Sequence, residues 1–173
     1  MNSPTQISLV VPVYAGERTL PALIAEIEEL TQPRVTPNGH HFVVSEVLLV
    51  HDCGPDRSDV TIASLAQQYG FVRAVWLSRN YGQHAATMAG MANATGDWVV
   101  TMDEDGQHDP ASIPDMLDVG LEQSLQLVYA QPTNPAPHGF VRNFFSGAAK
   151  AISTRLLGNR TIGSFSSFRL IDG

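Results

Sequence analysis

Short apolar, β-branched runs separated by segments of helical spacing constrain this chain most. Ile7 to Tyr14 (ISLVVPVY) is a continuous apolar run. It reads as a strand covered on both faces, because only a strand open to water on one side needs to alternate. Pro12, which has no N–H to give, is expected to mark the end of its ladder. Leu20, Leu23, Ile24, Ile27 and Leu30 then recur at helical spacing from about Thr19. Thr31 to His41 carries two prolines and a glycine and reads as a loop. Glu46 to Val50 is a second strand, and Ser58 and Asp59 suit the start of a second helix. Val72 to Leu77 is a third strand, Gly82 to Thr95 an Ala- and Met-rich helix closed by Gly96, and Asp97 to Met102 a fourth strand.

Strands alternating with helices predict an α/β fold of Rossmann-like kind. Its sheet is open and mostly parallel, with helices on both faces. Such sheets bind ligands beyond the carboxyl ends of their strands. Three polar clusters fall at such ends: Ala15–Glu17, His51–Asp56 and Asp103–Asp109. Beyond Asp109, Ile113 to Leu121 reads as a helix, Leu125 to Ala130 as a strand, and Gln131 to Gly139 as a Pro-rich loop. Val141 to Leu157 is a further helix and Ser166 to Ile171 a last strand. There is no internal repeat and no linker, so residues 1–173 are expected to form a single domain.

Composition narrows the classes of function. Ten Lys and Arg against 17 Asp and Glu, with a net charge of −7 and no dense basic run, disfavour nucleic acid as a partner. The single cysteine, Cys53, allows no internal disulfide and fits a reducing compartment. Residues 1–6 show no signal-peptide pattern, and no run approaches the ~20 apolar residues that span a bilayer. The expectation is a cytoplasmic protein.

The most informative stretch is Met102-Asp103-Glu104-Asp105-Gly106-Gln107-His108-Asp109. In an extended backbone, side chains two apart point the same way, so Asp103, Asp105 and Gln107 would share one side. Hard cations such as Mg²⁺ and Mn²⁺ take oxygen ligands and bridge to phosphates. A cation and a diphosphate would relieve the repulsion between two close carboxylates. The plainer alternative is a solvated acidic turn that caps the next helix, a role that suits Asp109 before Pro110. Glu104, on the opposite side, is expected to be solvated. An EF-hand fits poorly, because Gly106 falls too early for a calcium loop. His108 reads as a metal neighbour, a hydrogen-bonding support or a surface residue.

At this point the residues resemble a known family. LSRNYGQHAA (Leu77–Ala86), then Ala94-Thr95-Gly96-Asp97, then MDEDGQHDP are similar to the family 2 glycosyltransferases, in particular the dolichol- and undecaprenyl-phosphate sugar transferases. The ordered set of VPVY, the Asp52 turn, SRNYGQ, GD and DEDGQH runs through nearly the whole chain. The resemblance implies a GT-A fold, a nucleotide-diphosphate sugar donor and Mg²⁺ or Mn²⁺. By its matches, Pro12, Tyr14 and Glu17 form the first nucleotide loop, and Asp52 contacts base or ribose. Arg79 and Gly82 line the nucleotide, while Asp103, Asp105 and Gln107 form the ribose–metal–diphosphate group. Arg142, with Ser146 one turn on, meets the acceptor phosphate, and Phe168-Arg169-Leu170 lies near the acceptor. Ala15, His51, Gly54 and Asp109 depart from the pattern. Blander roles stand beside these. Tyr14 packs at a strand end, Arg79 pairs with a carboxylate such as Asp97, and Asp52 and Asp56 shape a turn. Gly82, Gly90 and Gly96 serve the backbone, Trp98 and Met102 belong to the core, and His84 is structural.

The implied chemistry is Lewis-acid stabilisation of a leaving nucleoside diphosphate, with Asp103 and Asp105 holding the cation. A phosphate acceptor is already largely ionised and needs cationic positioning, for which Arg142 and Arg169 are candidates. No general base stands out in the second half, which favours a polyprenyl phosphate over a saccharide hydroxyl. The expected activity is transfer of a hexose to polyprenyl phosphate, with peripheral contact at the cytoplasmic face of a membrane. Transfer to a glycan hydroxyl and a non-catalytic nucleotide-sugar-binding domain are the alternatives. The family usually continues after FRL, and this chain is expected to lack that extension.

Overall fold

Alternate residues of the first strand enter two different cores. The strand β1 (Thr5–Val13) sends Ile7, Leu9, Val11 and Val13 to one face and Val10 to the other. The strand β3 (His41–His51) divides its side chains in the same way, with Val47 and Leu49 against Leu48 and Val50. A strand with period two and apolar residues at every position must be covered twice. The computed structural model describes residues 3–130 and 167–173, and these fall in one compact unit. The Pro-rich loop and the helix read over residues 131–157, with Arg142 and Ser146, lie outside the described residues.

The larger core is built under helices α1 (Leu20–Glu28), α2 (Ser58–Gln68) and α4 (Ile113–Glu122). Leu20, Leu23, Ile24 and Ile27 of α1 are buried at the spacing the sequence shows. The opposite face carries α3 (Gln83–Met91), with Ala86 against Val10, Leu48, Val50 and Val99. Helices on both faces are therefore observed. Trp98 and Met102 are buried in the larger core.

Among the described residues, seven strands form one sheet. The strands β4 (Val72–Trp76), β3, β1 and β5 (Trp98–Thr101) are parallel neighbours in that order. Next comes β7 (Arg169–Asp172), antiparallel to β5, and then β6 (Leu127–Tyr129), antiparallel to β7. The fold is the expected mixed α/β sheet, mostly parallel.

Two local readings are corrected. Residues 31–41 are not all loop. Arg34–Val35 form β2, antiparallel to the start of β3, which begins at His41 and not at Glu46. The alternation of exposed and buried residues in His41–Glu46 is weaker than the apolar run that follows it. Pro12 ends the ladder on one side only. Pairing with β5 stops at Val10, while pairing with β3 continues to Val13.

A buried polar knot ties the strands at the end of the sheet where β5 begins. Glu46 is 5% exposed and accepts from the Ser8 hydroxyl at 2.7 Å and from the Thr95 N–H and hydroxyl at 2.7 and 2.8 Å. It also pairs with Arg73. Burial works to raise the Glu46 pKa, but the bonds from Ser8, Arg73 and Thr95 outweigh it and hold the carboxyl below its ordinary value of 4.5. The folded chain therefore binds fewer protons here than the unfolded one. This stabilisation is complete above about pH 4.5 and lost as the pH falls through the depressed value. Glu46→Ala is expected to cost about 2–3 kcal/mol at pH 7 by urea denaturation, through the orphaned donors. The deficit relative to the parent chain should shrink at pH 3.5.

Candidate functional site

The order of the strands reverses beside β1. From β1 the chain moves outward through β3 and β4, and after α3 it returns to the other side of β1 as β5. The loops leaving β1 and β5 lie beside this reversal, the position at which open α/β sheets take their ligands.

Hydrogen bonds join the three loops at this end. The Ala15 N–H donates to Glu104 Oε1 at 2.9 Å, and the Tyr14 N–H to Oε1 and Oε2 at 3.2 and 3.1 Å. Gly16 N–H donates to the Ser58 hydroxyl at 2.9 Å and Glu17 N–H to Asp56 Oδ2 at 3.0 Å. Arg57 N–H donates back to Glu17 Oε2 at 3.2 Å. The convergence expected from the positions of the three polar clusters is thus observed.

Glu104 is a correction. Instead of facing solvent, it is half-buried and bridges the β1 and β5 loops. Burial raises its pKa above the ordinary carboxyl value, helped by the charges of Asp56 and Asp105 and opposed by the Ala15 and Tyr14 amides. Asp56 shapes its turn as read. Its Oδ1 accepts from the Ser58 hydroxyl at 2.5 Å and the Ser58 N–H at 3.1 Å. Desolvation works to raise the Asp56 pKa, but the Ser58 and Glu17 hydrogen bonds outweigh it and lower the value.

The extended spacing expected for Asp103, Asp105 and Gln107 is also corrected. Residues 104–106 turn, and Gly106 takes φ +71°. The turn, not strand alternation, decides where these side chains lie. Asp103 is held by two neutral donors, Gln83 Nε2 on Oδ1 and the Ser167 hydroxyl on Oδ2, each at 2.5 Å. Asp105 is exposed. Its Oδ1 accepts only the Gln107 N–H at 3.0 Å, and Oδ2 has no hydrogen-bond partner among the described residues. His108 takes the supporting role of its three readings. Its Nδ1 accepts the Asp103 N–H at 3.1 Å and its ring stacks on Phe168, 5.0 Å between centroids.

Asp52, just after β3, is a buried carboxylate. It is 3% exposed, and its two oxygens accept the Tyr81 and Gly82 amides at 2.7 and 2.8 Å. Its turn-shaping partners lie about thirty residues away and not in its own loop. Gly82 takes φ +89°, a left-handed conformation that suits glycine. The exposed Arg79 lies over the Tyr81 ring, 4.8 Å from its centroid, and not against Asp97, which receives the Gln6 N–H. Tyr14 is half exposed, Glu17 exposed and Pro12 buried. His51 packs edge-on against Trp76, and its buried Nε2 has no hydrogen-bond partner among the described residues. Arg169, on β7, donates from Nε to the Thr101 hydroxyl at 3.2 Å.

Asp103, Asp105 and Gln107 offer side-chain oxygens at the acidic turn, which suits a hard cation. No group of three or more His, Cys, Asp or Glu side chains gathers as a cage among the described residues. Two carboxylates with an open oxygen on Asp105 nevertheless fit Mg²⁺ or Mn²⁺, which commonly takes one or two carboxylates and fills its remaining positions with substrate phosphates and water.

This sheet order and the acidic turn at its reversal point define a GT-A glycosyltransferase fold. The family model for glycosyl transferase family 2 matches residues 8–163, and the chain belongs to that family. The undecaprenyl-phosphate 4-deoxy-4-formamido-L-arabinose transferase of Serratia proteamaculans is 40% identical over 122 residues, 68% of this chain and 34% of that protein. The protein of the same name from Photorhabdus laumondii is 32% identical over 165 residues, 92% of this chain and 46% of its own length. The chain thus spans between a third and a half of these relatives. Glucosyl-3-phosphoglycerate synthase from Mycobacterium tuberculosis, solved with Mn²⁺, UDP-glucose and phosphoglyceric acid, superposes with a TM-score of 0.65 at 18% identity. That superposition covers 97% of this chain and 56% of the synthase, a likeness of fold.

Gly54 could have been singled out from its departure alone. A Cβ there would sit 1.3 Å from the Tyr14 carbonyl oxygen, so the β1 and β3 loops touch backbone to backbone. Gly54→Ala must push them apart. Chemical denaturation is expected to show a loss of about 2–3 kcal/mol. A variant as stable as the parent would mean that the loops are not in contact.

Proposed function

We propose that this chain is the donor-binding region of a metal-dependent glycosyltransferase that moves a glycosyl unit from a nucleotide-diphosphate sugar to a polyprenyl phosphate. The observation that carries the reading is the acidic turn at the strand-order reversal. Asp103 is immobilised there while Asp105 keeps an oxygen open. Family membership and relatives named for undecaprenyl phosphate support the reaction class and the acceptor. The sugar in those names is an arabinose derivative, a pentose, so the proposal is for a glycosyl unit rather than the hexose expected from the sequence.

In this reading Tyr14, Glu17, Arg79 and Gly82 border the nucleotide, with Pro12 setting the loop from below. Asp103, Asp105 and Gln107 would hold Mg²⁺ or Mn²⁺, which when bound offsets the negative charge that grows on the leaving diphosphate. The chain's own contribution is positioning. Glu104 fixes the acidic turn to the β1 loop, and His108 and Ser167 fix Asp103. Arg169 sits on the strand beside β5 and would orient an acceptor phosphate, together with Arg142. No helix among the described residues is long and apolar enough to cross a membrane. Work at the cytoplasmic face, with peripheral contact, would bring the site to a lipid-borne acceptor.

Thermal shifts with UDP-, GDP- and dTDP-sugars, with and without Mn²⁺, test donor and metal together. At least one pair is expected to raise the Tm several degrees more with Mn²⁺ than without. Asp105→Ala should abolish the metal-assisted part. An unchanged Mn²⁺ effect in that variant would overturn the assignment. Turnover should require polyprenyl phosphate, and turnover on a glycan alone would reassign the acceptor.

A further inference from the structure

We propose that Thr101 and Ser167 are positioning residues that keep Arg169 and Asp103 apart, so that the guanidinium stays open to an acceptor phosphate while the carboxylate stays open to the cation. The proposal rests on the acceptor and cation roles given above to Arg169 and Asp103, and it adds the two residues that stand between them.

Opposite charges placed as these are would ordinarily pair. Thr101 and Arg169 are direct partners in the antiparallel β5–β7 ladder. Trp98, Val100 and Met102 along β5, and Phe168 and Leu170 along β7, enter the larger core. Thr101 and Arg169 alternate with them and project from the opposite face, where Val99 packs with Ala86 of α3. Asp103 reaches Gln83 of α3 and so lies on this face too. It stands two residues beyond Thr101, diagonal to Arg169. Diagonal neighbours across an antiparallel pair are about 7–8 Å apart, within reach of a long side chain. Arg169 is only partly buried and Asp103 likewise. Yet neither is ion-paired among the described residues.

Two hydroxyls account for the separation. Thr101 is 2% exposed, and the one hydrogen of its hydroxyl goes to the Ser167 carbonyl at 2.7 Å. Towards Arg169 that hydroxyl can then only accept, and it takes the Nε–H at 3.2 Å. This bond directs the plane of the guanidinium. It leaves the N–H groups of both terminal nitrogens, which have no partner among the described residues. Such a fork matches two oxygens of a phosphate. Ser167 acts on the acid. Its hydroxyl donates to Asp103 Oδ2 at 2.5 Å. The donor is neutral and sets the direction of the carboxylate without exhausting it, since each oxygen keeps acceptor capacity. Ser167 therefore takes part in both arrangements, its carbonyl orienting the Thr101 hydroxyl and its own hydroxyl orienting Asp103. Supporting residues of this kind commonly carry tenfold or more of metal affinity.

Calorimetric titration of the 173-residue chain tests both sides. Geranyl phosphate reads the guanidinium, and Mn²⁺-dependent binding of UDP, GDP and dTDP reads the carboxylate. Thr101→Val removes the hydroxyl and frees Arg169 to swing onto Asp103. Both readouts are expected to fall about tenfold. Thr101→Ser keeps the hydroxyl and should match the parent in both. Adding Arg169→Gln to Thr101→Val removes the group that swings. Mn²⁺-dependent binding should then recover, while geranyl phosphate binding stays lost. A loss of structure alone would not be relieved by a second substitution. Ser167→Ala should lower Mn²⁺-dependent binding in the same relievable way, and it decides the matter where Thr101→Val does not fold. A loss that persists after Arg169→Gln overturns the proposal, and so does parent-like geranyl phosphate binding by Thr101→Val. A parent chain that fails to bind geranyl phosphate, or to bind any of the nucleotides with Mn²⁺, overturns the acceptor or the cation role itself, a result seen without any variant.

Discussion

The Glu104 carboxylate crosses from the end of β5 to the amides of Tyr14 and Ala15 beyond β1, and the arrangement of the site depends on that bridge. Strand order sets these two loops side by side, and without a tether their relative position would depend more on their own conformational entropy. The tether works against its own chemistry. A half-buried carboxylate flanked by Asp56 and Asp105 resists ionisation, while the amides it receives favour the charged form. A hydrogen bond that offsets the burial of a charge in this way holds a turn more firmly than a solvated side chain could.

Polar side chains lock the sheet at both ends, with different consequences. At the end where β5 begins, Glu46 gathers Ser8, Thr95 and Arg73, and Ser8 in turn accepts the Gly96 N–H. Those groups satisfy one another and leave little to offer a ligand. At the other end the carboxylates are divided in their roles. Asp52 and Asp56 serve the chain, Asp103 is fixed by neutral donors, and Asp105 is left open. A cluster of acids in sequence is therefore a graded set in space, from structural to exposed.

Much of the fold could be read along the chain because it depends on local periodicity. The apolar run of Ile7–Val13, the spacing of Leu20, Leu23, Ile24 and Ile27, and the polar clusters at strand ends all carried through to the structure. Other features could not be read. The short strand Arg34–Val35 has no pattern of its own and exists because β3 offers an edge to pair with. The first half of β3 was hidden by its weaker alternation and by the bulge between Ile7 and Ser8, which leaves Ser45 unpaired in the register. Glu104 was misplaced because a strand's alternation was extended into a turn.

The amino-acid sequence by itself determined which residues form strands and helices, that the sheet is covered twice, and that its acids collect where strands end. Those properties follow from side-chain volume and polarity at periods of two and 3.6 residues, which any stretch of chain carries within it. Only the tertiary structure decided which acid does what. Asp52 meets amides 29 and 30 residues on, Glu104 meets amides 89 and 90 residues back, and Asp103 meets side chains from α3 and from just before β7. A carboxylate's role is set by the donors that reach it and the water it loses, and both come from parts of the chain that only folding brings near.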